Sequence, residues 1–278
     1  MEYKRILTVQ DASCVGQCSM TVALPIISAC GLETAVIPSA VLSTHTAFKN
    51  FSFCDLTKEI PKIKEVWDKE NIKFSAIYTG YLGNKDQVNY VKEIMRDCIL
   101  EGGYKIVDPA MADGGNLYHG FDMAYVEAMK ELCASADIIL PNITEACFMT
   151  GIEYRTELDR DYVEKLISGL RKICDKTIIL TGVALSPNKT GVAVADGNNI
   201  RYYEHNKIAN GCHGTGDVYA SVFTGAFIGG KTAFEAAKIA ADFAYMCIEY
   251  TNPDKEHWYG VKFEPLLGKL IEMLNQNI

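Results

Sequence analysis

The sequence predicts an α/β protein, a mostly parallel sheet covered by helices on both faces. Three observations carry this reading. Short β-branched runs alternate with longer amphipathic stretches along most of the 278 residues. Each run reads as a buried strand that ends in a polar or turn residue. No Pro/Gly/Ser-rich linker, repeat or low-complexity tract interrupts the series, so residues 1–278 read as one domain.

In chain order the strands are "RILTVQ" (5–10), "TAVIPS" (34–39), "KFSAIYTG" (73–80), "YKIVDP" (104–109), "ADIILPN" (136–142) and "KTIILTG" (176–182), each ending in a polar or turn residue. Helical patterns fall between them at 56–70, 86–101, 121–134 and 158–173. "TGVAVADGNNIRYYE" (190–204) differs, because two short strands flank an Asp-Gly-Asn-Asn turn and read as a hairpin. Beyond it the chain is almost wholly helical. Ligands of such sheets collect outside the carboxyl ends of the strands. Those ends supply Gln10-Asp11, Ser43 to Thr46, Thr79-Gly80-Tyr81, Asp108, Asn142 and Thr181-Gly182.

Composition narrows the function classes. With 49% hydrophobic residues, 22% charged and a formal charge of −8, the chain is an ordinary globular protein whose acidic surface repels nucleic acid and anionic membrane. No apolar run reaches the ~20 residues that span a bilayer. The first strand passes straight into polar sequence with no signal-peptide core, which points to the cytoplasm. Ten cysteines are scattered through predicted elements without a second close pair beside Cys14 and Cys18, and read as reduced thiols filling core space.

Two phrases near the C-terminal third could each hold a phosphate. Gly225 through Thr232 matches G-x-x-x-x-G-K-[ST], but a working P-loop follows a buried strand. Here Val218, Val222 and Ala226 recur at four-residue spacing, with Tyr219, Phe223 and Phe227, as the stripe of a helix. Gly229-Gly230 then closes that helix, and Thr232 with Glu235 forms a capping box opening the next. Gly214-Thr215-Gly216-Asp217 has the better context, at a helix N-terminus whose free N–H groups make an anion hole. Asp217 there could accept a proton from an attacking hydroxyl, or serve simply as a cap.

Other strand ends add carboxylates. "VDPAMADGG" carries Asp108 and Asp113, and "LPNITEA" carries Asn142 and Glu145, hard oxygen donors suited to Mg²⁺ held largely through water. Singly, each reads as an ordinary turn or helix start. Their occurrence in this order with GTGD is the specific signal.

With "VQDASCVGQCSM", "LSTHT" (42–46), "TGYLG" (79–83), "VDPAMAD" (107–113), "PNITE" (141–145), "TG" (181–182) and "GTGD" (214–217), the chain resembles the ribokinase-like superfamily, and within it the pyridoxal/pyridoxamine kinases. The resemblance covers nearly the whole chain. It implies a three-layer α/β/α fold, a homodimer, and transfer of the γ-phosphate of ATP to the hydroxymethyl group of pyridoxal, pyridoxamine or pyridoxine. Asp217 falls on the family's catalytic base, with Gly214, Thr215 and Gly216 as its anion hole. Asp108, Asp113 and Glu145 match positions that handle Mg²⁺ and the nucleotide, and Asn142, Thr181 and Gly182 belong to the same ATP-binding set. Asp11, Thr46 and Tyr81, with His45 beside them, match the wall around the substrate ring. A monovalent cation is left open.

Three departures bear on the substrate. Gln10-Asp11 stands where the best-known vitamin B6 kinases have Gln-Ser, and is closer to hydroxymethylpyrimidine kinases. "VGQCSM" matches neither group. Cys212-His213 precede GTGD, where a thiol could meet an aldehyde. The alternatives are therefore a hydroxymethylpyrimidine kinase of the same fold and a non-catalytic ligand-binding protein. A dinucleotide-binding dehydrogenase is a further, weaker alternative, because no G-x-G-x-x-G follows the first strand.

Overall fold

The structure is a computed structural model that describes residues 3–208 and 211–276. In order, the elements are β1 (Arg5–Ser13), α1 (Met20–Ala29), β2 (Glu33–Leu42), β3 (Phe53–Asp55), α2 (Ile60–Lys69), β4 (Phe74–Thr79), α3 (Lys85–Asp97), β5 (Ile99–Val107), β6 (Ala112–Asp113), β7 (Asn116–Leu117), α4 (Met123–Ala134), β8 (Ile138–Ile139), α5 (Ile143–Thr150), α6 (Arg160–Leu170), β9 (Thr177–Val183), β10 (Lys189–Asp196), β11 (Asn199–Asn206), α7 (Thr215–Ile228), α8 (Ala233–Thr251) and α9 (Leu267–Asn275).

Nine strands form one sheet in the order β11-β10-β9-β8-β5-β4-β1-β2-β3. The inner pairs are parallel, and β3, β10 and β11 add antiparallel edges. Alternation along the strands divides the core. Leu7 and Val9 face α2 to α6, whereas Ile6, Ala76 and Tyr78 face α1, α7, α8 and α9. The result is the expected α/β/α sandwich. Successive strands leave β1 first toward β2 and then toward β4, the kind of reversal near which ligands of open α/β sheets bind.

Differences from the sequence-based expectation have local causes. The helix expected over 86–101 stops at Asp97, because Ile99 pairs with Phe74 and opens β5 five residues early. The strand expected over 136–142 keeps only Ile138–Ile139, since Pro141 has no N–H to give a ladder and Asn142 caps α5. The helix α1, the short edge strand β3 and the β6–β7 hairpin were not foreseen. Five cysteines are buried, as expected of core thiols, but Cys14 and Cys54 are exposed.

The face beneath α7 contains a polar seam. Thr8 and Tyr78 are partners across β1 and β4, Gln10 lies two residues further along, and Ser221 and Thr224 follow Asp217 by one and two helical turns. All five are fully buried. Gln10 Nε2 donates to Thr8 Oγ1 at 2.8 Å, but Gln10 Oε1, the Tyr78 hydroxyl, Ser221 Oγ and Thr224 Oγ1 have no hydrogen-bond partner among the described residues.

The P-loop-like phrase lies where two helices meet. Gly225 is inside α7, and Thr232 and Glu235 form a reciprocal capping box on α8. Thr232→Ala should therefore cost about 1 kcal/mol of stability. That is a fall of about 2–4 °C in melting temperature. Turnover of the same variant should stay at the wild-type rate; a collapse in activity would restore the phrase as a phosphate site.

Candidate active site

Asp217 is the third residue of α7, and the preceding turn is built to leave the helix head open. Gly214 takes φ 78°, and a Cβ there would run into the Gln17 carbonyl, so only glycine fits. The Thr215 hydroxyl turns back to the Cys212 carbonyl at 2.8 Å, and no side chain among the described residues caps the helix. First-turn N–H groups thus face a cavity of about 510 Å³ that Gly214 to Asp217 line. Burial raises the Asp217 carboxyl to about 7; the Ser19 N–H holds it down and Asp11 pushes it up.

Ser19 itself is a non-glycine residue at φ 48°, a strained conformation at the head of α1. Its side chain reaches Asp11 while its N–H serves Asp217. One constrained residue therefore holds both carboxyls in place. No sequence signal marked it, because a positive φ outside glycine leaves no compositional trace.

The opposite wall comes from β5, β8 and α5. Asp108 follows β5, with its N–H on the Thr79 carbonyl at 2.9 Å. Its carboxyl is raised well above the usual range by burial, then by Glu145 and Asp217. Asn142 and Glu145 form a capping box, and Glu145 also accepts from Met111 N at 3.1 Å. Asn142 Nδ2 donates to the Ala112 carbonyl at 2.8 Å. Both side chains are thus committed to tying the β6–β7 hairpin to α5. Burial raises the Glu145 carboxyl to about 8 against the pull of backbone donors from Asn142, Met111 and Ala112. Asp113 is exposed on the hairpin, and Thr181 and Gly182 line the cavity beside Asn142.

The donor set fits a divalent cation. Asp108, Asp113 and Glu145 line the cavity together, the carboxyls of Asp108 and Glu145 are raised by burial and by acidic neighbours, and the lining carries no Lys or Arg among the described residues. No three acidic, His or Cys side chains there close on a point as a chelating cluster, so such an ion would lean on water and phosphate oxygens.

Asp11, His45 and Tyr81 lie outside the lining of that cavity, with Asp11 near enough to act on Tyr81 and Asp217 and to feel His45. Asp11 sits where the β1–β2 register shifts, is 6% exposed, and is raised by burial while Ser19 and Ser13 partly offset it. Tyr81 is half-buried and stacked on Phe121 at 5.4 Å, which stacks on Tyr125 at 3.9 Å. That aromatic prop was invisible in the sequence. Thr46 is exposed at the rim. His45 spends both ring nitrogens on backbone, with Ala47 N at 3.2 Å and the Tyr259 carbonyl at 2.5 Å. As it stands it offers a neighbour its ring rather than a hydrogen bond.

At the far end of the cavity His205 and Tyr245 meet edge to face at 5.4 Å over Ala241, Ala244 and Ile248, an aromatic and aliphatic chamber that no sequence motif announced. Cys212 and His213 also line the cavity. Burial raises the Cys212 thiol and lowers His213, the latter with help from His45.

The profile of the phosphomethylpyrimidine kinase family matches residues 37–261. A Bacteroides thetaiotaomicron protein described as a candidate phosphomethylpyrimidine kinase, solved with pyridoxal, is 33% identical; the match covers 100% of this chain and 97% of that one, with a TM-score of 0.90. The pyridoxal kinase of Lactobacillus plantarum is 27% identical over 98% of both chains, with a TM-score of 0.90. The pyridoxal kinase of Dictyostelium discoideum is 26% identical over 80% of this chain and 77% of its own length.

Proposed function

The chain belongs to the phosphomethylpyrimidine kinase family, and from that premise we propose that it moves the γ-phosphate of ATP onto the hydroxymethyl group of a vitamin B6 vitamer. The observation that carries this reading is the Asp217 carboxyl, poised at about 7 beneath an uncapped helix head and next to Asp11. A group titrating near neutrality is a base at working pH and can hold a proton once it has taken one.

Asp217 accepts the proton of the acceptor hydroxyl as that oxygen attacks the terminal phosphorus, and the bond to the departing ADP oxygen breaks. Charge on the equatorial oxygens meets the backbone of Gly214, Thr215 and Gly216. Asp108, Asp113 and Glu145 would hold Mg²⁺, partly through water, and the ion would supply charge neutralisation on the nucleotide phosphates. Thr181 and Gly182 would border those phosphates, and the His205–Tyr245 chamber suits a flat base. Tyr81, propped by Phe121, offers a wall for the acceptor ring, with Asp11 at its edge. The pyridoxal in the Bacteroides relative supports a pyridine over a pyrimidine ring. Asp11 and the family profile keep hydroxymethylpyrimidine as the second reading.

The assay is ATP consumption against pyridoxal, pyridoxamine, pyridoxine, hydroxymethylpyrimidine and ribose. A B6 vitamer is expected to have the highest kcat/KM. A preference for hydroxymethylpyrimidine would transfer the assignment to the second reading, and turnover of none of them would sink both.

The resemblance also carries a homodimer. Val36, Val41, Phe51 and Phe53 are exposed along the β2–β3 edge and give it an apolar face.

A further inference from the structure

Four stretches of chain meet at the buried imidazole of His45. Ala47 donates its N–H to Nδ1, so that nitrogen carries the lone pair and the proton belongs on Nε2, which lies 2.5 Å from the Tyr259 carbonyl. The ring lies over Gly16, which has φ +113° and where a Cβ would run into it. His213 is 5.5 Å away, between the imidazole and the GTGD turn. Phe48 is at 4.9 Å, and itself packs on Trp258 at 4.7 Å.

A second tie runs beside the first. Gln17 forms a parallel bridge to Gly260, and its amide donates to Glu264 at 3.3 Å. A Cβ on Gly260 would meet the Gln17 side chain, and a Cβ on Gly214 would meet the Gln17 carbonyl. Gln17 therefore touches the segment after α8 on one side and the N-cap of α7 on the other.

We propose that His45 is a positioning residue that latches Trp258 to Gly260 over the acceptor end of the site, and that Gln17 transmits the position of this strap to the anion hole at Gly214. What the pocket accepts rests on the function proposed above; the latch itself does not. The strap is then a fourth wall of the acceptor site, contributed by a part of the chain remote from every motif. His45 shapes that site through its ring and through the loop it holds.

The test is amide hydrogen exchange of residues 257–262 in the free protein, for wild type, His45→Ala, His45→Gln and Gly260→Ala, together with acceptor and ATP KM. His45→Ala should speed exchange there about tenfold, the equilibrium equivalent of one lost hydrogen bond. It should also raise the acceptor KM more than the ATP KM. His45→Gln, which keeps an N–H donor at similar reach, should recover much of the protection. Gly260→Ala should loosen the same amides with the imidazole intact, which covers the case in which His45→Ala does not fold. Unchanged exchange in a folded His45→Ala variant whose acceptor KM rises would overturn the latch, because His45 would then act on the acceptor directly. Unchanged exchange in Gly260→Ala would overturn it equally. Exchange is measured without substrate, so it tests the latch even if the true acceptor lies outside the assayed panel.

Discussion

Asp217→Asn is expected to lower kcat by about 10³-fold or more, near the upper part of what a positioned general base contributes, while the chain folds and binds nucleotide as before. Near-normal turnover in the variant would remove Asp217 from the mechanism. The same carboxyl should set the acid limb of the wild-type profile. With a value of about 7, it loses its proton as pH rises through neutrality, so kcat should fall as pH drops below that point, and the variant's residual rate should lack this limb. Stability carries the opposite sign. A carboxyl raised from 3.8 to about 7 on folding favours the native state while it is protonated, and that contribution is lost as pH rises through about 7. Asp217→Asn should therefore melt higher than wild type at pH 8, with the gap closing as pH falls toward 4. Melting curves at three pH values check it.

Gly214→Ala should be the next most damaging change. An alanine at φ 78° costs about 1–2 kcal/mol from backbone sterics. Its Cβ must also displace the Gln17 carbonyl. Turning the helix head by that much should misdirect the donors that meet the transferring phosphate, and loss of one such donor costs about 10²–10³ in rate. We expect a fall in kcat of that size together with a lower melting temperature. Gly216→Ala is the matched control for stability, since nothing lies within 4 Å of a Cβ there and its melting temperature should not move. Full activity in Gly214→Ala would dismiss the anion hole.

The parts of this molecule that were legible in the sequence are those whose signal is local. Strands of a covered parallel sheet betray themselves as short runs rich in apolar and β-branched residues, and β1, β2, β4 and β9 fall where those runs are. The N-terminus of α7 could be read because an uncapped Gly-Thr-Gly turn has its own composition. The capping box of α8 was legible for the same reason, and it is what dismissed the P-loop phrase. Elements decided by distant partners were not legible. The start of β5 is set by Phe74, the role of Ser19 by a backbone angle, and the setting of His45 by a carbonyl 214 residues away. Asn142 and Glu145 were half legible: the spacing announced a helix start, but not that the carboxylate would also tie the β6–β7 hairpin to α5.

The seam beneath α7 has a bearing on how quickly the site can respond. Beside Gln10, whose amide the bond to Thr8 holds, the hydroxyls of Tyr78, Ser221 and Thr224 lie under Asp217 without a close hydrogen-bond partner among the described residues. In the mechanism proposed above Asp217 gains and loses a proton in each cycle, and each change alters the field on its surroundings. Hydroxyls free to rotate can follow that change within the time of side-chain motion, whereas a close-packed hydrocarbon floor would have no dipoles to turn. On that mechanism the floor should act as a small polarisable medium within an otherwise apolar layer, able to meet both charge states of Asp217 by turning hydroxyls rather than by moving backbone.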